Sequence, residues 1–477
     1  MKKILLINPP YFYQIFSGSM VRAMVSPGIM PLGLACVAAS LREISFRVEI
    51  LDLNLVKDPE ATLRSKINSF KPDIAGVTFT TPLSGIAKIL AGIIKDADPG
   101  IITVCGGPHV SILPEETLKD SKFDVAVLRE GDLSLKEIAL DVPLSRIDGV
   151  AYKAQGGIMV NQPKSYIENL DKLPYAGVDL FDSGKYTYPR VTARRNPVAS
   201  LETSRGCFSR CSYCNKSIFG HKFRAKSAGR VVDEAEFILK SGYREIHIID
   251  DGFTTDMERA FAICSEVKKR GLNFPWYVRG GVRVDRVSRD LLREMKSAGC
   301  YRVPYGIESG DQSVLDNIRK GITLQQVDNA VKWAKEAGMI VDGYFMIGLP
   351  GETVASVEKS IAFARSLDLD YAKFSITVPL PGTEMFEKLK RDGRLLTEDW
   401  TKYNFAQSPR CIYKHENISW SDLEMYYNRA HNNFYFRPGY ILRRFIAGVK
   451  NGELLAYIKA FFDFAGSIVV NFRRTHG

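Results

Sequence analysis

The residues best suited to chemistry are three cysteines in one short loop, Arg205-Gly206-Cys207-Phe208-Ser209-Arg210-Cys211-Ser212-Tyr213-Cys214, spaced C-x3-C-x2-C. Soft thiolates gathered in a loop suit an iron–sulfur cluster or zinc. Their number separates the two. A structural zinc site closes itself with four protein ligands, whereas a cubane held by three cysteines keeps one iron open to a substrate. That open iron can chelate an amino-acid group and pass an electron to a sulfonium. Zinc, or thiols with no ligand, is the competing reading. The remaining cysteines, Cys36, Cys105, Cys264, Cys300 and Cys411, form no second motif. Cys36 and Cys264 fall on helical patterns as buried apolar residues.

A reactive loop needs a frame, and this one follows the first strand of a regular alternation. Apolar strand patterns recur at 199–203, 245–249, 276–279, 302–307, 343–347 and 373–378, with amphipathic helices between them, clearest at 231–239 and 327–337. Six βα units in series predict a (β/α)6 partial TIM barrel, whose active site is built at the C-terminal strand ends. Ahead of it, strand patterns at 4–8, 48–53, 74–80, 101–105 and 125–129 alternate with helical ones at 32–41 and 83–94. Continuous apolar strands separated by helices predict a parallel sheet covered on both faces. The front domain therefore reads as a doubly wound Rossmann-like α/β domain, binding its ligand beyond the carboxyl ends of the strands. No G-x-G-x-x-G follows its first strand, so a dinucleotide site lacks its phosphate turn. The expected division is 1–146 for this domain, 147–195 for a linker with a hairpin near Ala154-Gln155-Gly156-Gly157, 196–398 for the barrel, and 399–477 for a helical C-terminal region. In that last region Trp400, Tyr403, Phe405, Tyr426, Tyr427, Phe434, Tyr435 and Phe436 predict a helical cap with an aromatic core; a membrane-skimming amphipathic helix is the alternative.

The composition bounds the partners. At 477 residues the chain exceeds one core, and 45% hydrophobic with 25% charged residues is a globular composition rather than a disordered one. The net charge of +11 permits an anionic partner, but Lys and Arg occur as scattered pairs such as Arg443-Arg444 and Arg473-Arg474, not in blocks. The opening MKKILLINPP is too short for a signal-peptide core. The most apolar stretch, 454–470, is interrupted by Lys459 and Asp463, so no membrane span is expected. A cytoplasmic location follows, and with it metal or redox roles for cysteine rather than disulfides.

The loop resembles the signature of the radical S-adenosylmethionine (SAM) enzymes, with Tyr213 at the aromatic position of C-x3-C-x-aromatic-C. Further segments match that family in order. Asp250-Asp251-Gly252-Phe253 stands where the family has a turn meeting the methionine amino group, in an acidic rather than glycine-rich form. Arg279, with Arg283, is placed to pair with the methionine carboxylate, against the reading of two surface arginines. Glu308 and Ser309 in Tyr305-Gly306-Ile307-Glu308-Ser309-Gly310 match the ribose-binding segment, and Gly348, in the run from Gly343 to Thr353, the turn that packs on adenine. Pro379-Leu380-Pro381-Gly382-Thr383 resembles the last-strand turn.

The front domain resembles the cobalamin-binding domain that precedes many members of the family. The resemblance rests on Asn8-Pro9-Pro10, Pro31-Leu32-Gly33-Leu34, Thr78 and Thr80 at the third-strand end, Gly106-Gly107-Pro108-His109, and Glu130-Gly131-Asp132. It implies cobalamin contacts from Thr78, Thr80, Gly106, Gly107, His109 and Glu130. The Asp-x-His-x-x-Gly motif that supplies cobalt with a lower histidine is missing, so His109 is read as a loop hydrogen-bonding residue.

The resemblance implies a [4Fe-4S] cluster on Cys207, Cys211 and Cys214, reductive cleavage of SAM to methionine and a 5′-deoxyadenosyl radical, and methylation of an unactivated carbon through methylcobalamin. Cys300 and Cys411 are candidate hydrogen donors to a substrate radical. The alternatives are a non-methylating radical cyclase or rearrangement enzyme, an RNA-modifying enzyme, and a non-catalytic metal or cobalamin sensor. RNA modification is disfavoured because its enzymes carry a second three-cysteine set in front and a β-barrel tail. The implied partners are a small-molecule, lipid or peptide substrate and an electron donor such as flavodoxin or ferredoxin; peripheral membrane contact is compatible with the tail.

Overall fold

The computed structural model describes residues 2–11, 29–404 and 411–451. Phe405, the 454–470 stretch with Lys459 and Asp463, and Arg473-Arg474 lie outside them.

Seven strands make the first sheet: β1 (Lys3–Asn8), β2 (Arg47–Asp52), β3 (Ile74–Thr78), β4 (Ile102–Gly106), β5 (Val125–Val127), β6 (Val150–Ala154) and β7 (Gly157–Asn161), in the order β2-β1-β3-β4-β5-β6-β7. The first five are parallel. Their side chains divide between two cores, as buried parallel strands require. Ile4, Leu6 and Val104 pack under Leu34, Leu41 and Ile138 from the helices Leu32–Arg42 and Gly131–Ala139. Leu5, Ile7 and Val77 pack under Leu63, Ile67 and Leu90 from Pro59–Phe70 and Ser84–Ala97. The sequence pattern ends this sheet at five strands and leaves the hairpin in the linker. In the structure the hairpin joins the sheet, β6 running antiparallel to β5 with Val127 opposite Val150. β5 is only three residues long, and the hairpin covers an edge it would otherwise expose.

The chain then runs through β8 (Val198–Leu201), a ribbon of β9 (Ser204–Arg205) with β10 (Arg224–Ala225), and β11 (Glu245–Ile248), β12 (Trp276–Val278), β13 (Cys300–Glu308), β14 (Ile340–Ile347) and β15 (Tyr371–Ile376). Six of these form one parallel sheet in sequence order, β15-β14-β13-β12-β11-β8. It is the expected (β/α)6 partial barrel, open between its first and last strands. Ala199, Ile246, Val303, Phe345 and Phe374 face the surrounding helices in one large core. The alternate residues face the lumen.

The C-terminal region is helical over Trp420–Tyr435 and Pro438–Asn451. Leu423 and Phe434 join the barrel core, while Trp400, Tyr403 and Tyr413 pack with Phe386 in a separate aromatic cluster. Among the described residues no helix is long and apolar enough to cross a membrane.

Candidate active site

The β9–β10 ribbon pairs Arg224 with Arg205 and throws the cysteine loop out between them. Gly206 has φ +83°, and a Cβ there would lie 2.2 Å from the Lys222 carbonyl oxygen, so the turn into Cys207 admits only glycine. The loop is tied to three later segments of the barrel at once. Ser212 N–H donates to the Ile318 carbonyl (3.1 Å), Met385 N–H to that of Ser212 (3.0 Å) and Arg283 to Ser209 Oγ (2.8 Å). Cys207 is buried, and Cys211 and Cys214 are half-buried. Burial opposes the Cys207 thiolate, but the Lys216 charge and hydrogen bonds from Ser209 outweigh it and hold the thiol below its ordinary value. Burial dominates at Cys214, where Lys216 offsets it only in part.

The donor set fits a cluster. Three thiols on one anchored loop, rather than four donors, match a cubane with one iron left open and not a closed zinc cage. Cys211 and Cys214 open on a cavity of about 520 Å³ that Arg129, Arg210, Lys216 and Arg319 also line.

The predicted SAM residues divide by position. Asp250 is buried and fully used: it accepts from Thr203 N–H (2.7 Å), from the Thr203 hydroxyl and from Ser204 Oγ (2.7 Å), tying the end of β11 to β8 and β9. Asp251 is the exposed member of the pair and accepts from Gly206 N–H at 3.2 Å. Glu308 ends β13 with φ +69° and accepts from Lys320 Nζ at 2.7 Å. Lys320 also reaches the Tyr213 hydroxyl at 3.5 Å, and burial, then Glu308, raises that phenol well above its ordinary value. Ser309 is fully buried and exchanges a hydrogen bond with Ser360 (3.1 Å), behind the strand end. Arg279 lies in the lumen, donating to the Tyr188 hydroxyl at 2.7 Å and standing over its ring. Gly348, with φ +86°, turns the chain after β14, and the Glu352 carboxylate accepts its N–H at 2.6 Å. Lys216, Lys320 and Glu352 were not singled out by sequence; Lys216, two residues past the last cysteine, was the one that spacing could have flagged.

In the front sheet a cavity of about 300 Å³ opens at the ends of β3 and β4, lined by Thr78, Gly106, Gly107 and Glu130 together with Gly33 and Gly131. A Cβ on Gly33 would meet nothing within 4 Å, and Gly107 has φ +113° with the Phe79 carbonyl oxygen 2.5 Å from where a Cβ would stand. The slot is glycine-lined with apolar walls, which fits a flat organic group pushed between strand ends and helices. Thr80 and His109 do not line it. Thr80 is exposed. His109 is buried beside Thr81, Phe79 and Trp400, and burial, then Lys88, pushes its imidazole down to about 4. Glu130 joins the slot to the cluster loop. It accepts from Arg205 (2.9 Å) and Arg224 (2.8 Å), and Arg205 also binds Glu202 (2.7 Å) and Asp132 (3.0 Å), all buried.

Residues 201–364 match the Radical SAM superfamily and residues 18–139 the B12 binding domain. An uncharacterized methyltransferase of Pyrococcus horikoshii is 35% identical over 466 residues, covering 94% of this chain and 98% of its own. The chain belongs to the cobalamin-dependent radical SAM enzymes. The resemblance read from the cysteine loop and the front-domain loops is thereby established, and the cofactors of this family are a [4Fe-4S] cluster, SAM and cobalamin. An anaerobic magnesium-protoporphyrin IX monomethyl ester cyclase of Rubrivivax gelatinosus is 30% identical over 418 residues, covering 85% of this chain and 72% of its own. The structure of the radical SAM methyltransferase TsrM from Kitasatospora setae, with cobalamin and a [4Fe-4S] cluster, superposes with a TM-score of 0.68 at 20% identity, covering 82% of this chain and 78% of that one; the fold is shared.

Proposed function

We propose that this radical SAM enzyme is a C-methyltransferase acting on an unactivated carbon of a small-molecule, lipid or peptide substrate. The observation that carries the reading is the end-to-end match to the archaeal methyltransferase. When bound, the cluster supplies the electron that cleaves SAM, and cobalamin supplies a transferable methyl group.

The chain's own residues divide the work. Cys207, Cys211 and Cys214 hold the cluster, and the anchored loop fixes its one open position. Asp251 faces the methionine ammonium, with Asp250 positioning it from behind through the β8–β9 contacts. Arg283 keeps the loop in place through Ser209. Glu308, neutralised by Lys320, and Tyr213 bound the nucleoside side, and the Gly348 turn backs the adenine. Ser309 supports that strand end from within. Thr78, Gly106, Gly107 and Glu130 hold cobalamin at the glycine-lined slot; Thr80 and His109 stand outside it, His109 packing against the third-strand loop. The division into 1–146, 147–195, 196–398 and 399–477 assigns these tasks to segments, with the hairpin of the second segment completing the front sheet. A reduced flavodoxin or ferredoxin is the electron donor, in the cytoplasm, where the free cysteines stay reduced.

The test needs no substrate. Reconstituted anaerobically with iron, sulfide and reduced cobalamin, the enzyme is expected to move a labelled methyl group from SAM onto its bound cobalamin and, with dithionite, to form 5′-deoxyadenosine. The resemblance to the Rubrivivax cyclase favours a second reading, a non-methylating radical enzyme. That reading predicts deoxyadenosine with no label on the cobalamin.

A further inference from the structure

One cation in the barrel lumen has no role in the reading above. Strand register sets Ser200 beside His247 and His247 beside Tyr277 on one side of the sheet, and Gly306 beside Tyr344 and Tyr344 beside Lys373 on the other. Their neighbours Ile246, Phe345 and Phe374 pack outward into the helix-covered core, so this set faces inward. Lys373 is exposed, between buried Ala372 and Phe374.

The charges below and above it are matched. On the lumen floor Glu245 accepts from His247 (2.9 Å) and Tyr301 (2.7 Å), and Arg302 binds Asp342 at 2.7 Å. At the mouth Lys320 pairs with Glu308. Lys373 alone of these has neither an ion pair nor a hydrogen bond among the described residues. Partial loss of water among the lumen side chains, although Lys373 keeps an exposed face, and then the like charge of Arg279 pull its ammonium below the ordinary lysine value. Among the described residues Arg279 makes no ion pair either, its one side-chain hydrogen bond going to the neutral Tyr188 hydroxyl. Two like charges facing one lumen with no carboxylate paired to either make a positive potential there, and an incoming anion would be drawn to it. The Tyr344 phenol, raised above its ordinary value by burial and then by Asp342, keeps its proton and adds a donor beside Lys373.

We propose that Lys373 and Arg279, the latter in place of the methionine-carboxylate role that the family resemblance implied for it, form with the Tyr344 hydroxyl a subsite for an anionic group, a carboxylate or phosphoryl-type oxyanion, on the molecule that is methylated. This rests on the methyltransferase reading, since it takes the lumen as the chamber where the acceptor lies. It narrows the substrate class to acids carrying such a group some distance from the reacting carbon, where charge pairing supplies binding and orientation. A carboxylate could also come from the methionine half of SAM, and the test separates the two sources.

The reconstituted holoenzyme is treated with an amine-acylating reagent, and modification of Lys373 is followed by peptide mass spectrometry with and without SAM and with inorganic phosphate or acetate as the probe. With SAM bound, saturating phosphate or acetate is expected to slow Lys373 acylation by about tenfold. The Lys373→Met enzyme is expected to keep its SAM affinity, and Lys373→Arg to retain phosphate binding as measured by equilibrium dialysis. If SAM alone protects Lys373 and Lys373→Met weakens SAM binding about tenfold, the cation serves the cosubstrate and the proposal is wrong. Acylation indifferent to both anions also overturns it. Failure of the wild-type enzyme to label its cobalamin would instead overturn the methyltransferase reading, a separate readout from the acylation.

Discussion

Glu352 shows how one buried carboxyl shapes the turn after β14. Its Oε2 accepts the N–H groups of Gly348 (2.6 Å) and Leu349 (3.3 Å), while Oε1 is buried with no partner among the described residues. Burial outweighs the two hydrogen bonds and lifts the carboxyl from 4.5 to about 8. The folded chain therefore keeps a proton that the unfolded chain releases near 4.5, and this contribution to stability is full below that value. It declines as pH rises toward 8 and is flat above, a loss on the order of a few kcal/mol. Glu352→Gln keeps an acceptor for both N–H groups without the ionisation, so its melting temperature should vary less with pH across this window than that of the wild type. Glu352→Ala should lose about 1–3 kcal/mol by stranding the two donors. Thermal melts across that pH range check both. Gly348 was legible in the sequence because glycines punctuate a strand end. Glu352 was not, because its importance lies in burial. Asp250 and Asp251 make the same point: spacing treats the two adjacent carboxylates alike, yet one is spent on Thr203 and Ser204 and the other is left open.

The two-residue strands of the β9–β10 ribbon join the front sheet to the barrel. Arg205 enters a pocket of carboxylates from both sides, Glu130 and Asp132 from the front sheet and Glu202 from the end of β8, and its side chain is 3% exposed. Removing one member of such a buried set leaves its partners charged and unpaired. Arg205→Met should therefore cost about 3–5 kcal/mol. Adding Glu130→Gln should cost less than the sum of the single changes, since the two share one network; denaturant unfolding of the four proteins measures the difference. Because Glu130 and Arg205 also line the front cavity, Arg205→Met should retain less cobalamin through gel filtration. The main strands were legible as apolar runs, and the barrel order followed from their alternation with helices. The ribbon was not, being too short for any periodic signal. The edge joined by the hairpin was also hidden, since strand pattern states which residues pair but not where a two-stranded unit docks.

Across the whole molecule, the glycine-lined slot and the cysteine loop lie near the ends of parallel strands in two sheets, linked through Glu130 and Arg205. Family and cofactors were readable because the thiol spacing and strand-end loops are local in sequence. Arg279 was named from its strand end, but its pairing with Lys373 was not readable, since the two lie on different strands and face one lumen only through the curvature of the sheet. The proposed function depends on three thiolates that would leave one iron free for SAM. Electron–nuclear double resonance of the reduced enzyme with SAM carrying nitrogen-15 in its amino group tests that directly. The expected result is a nitrogen coupling to a [4Fe-4S] cluster that is lost in Cys211→Ala. Zinc bound by four protein donors, or a cluster without coupling to the labelled amine, would contradict it.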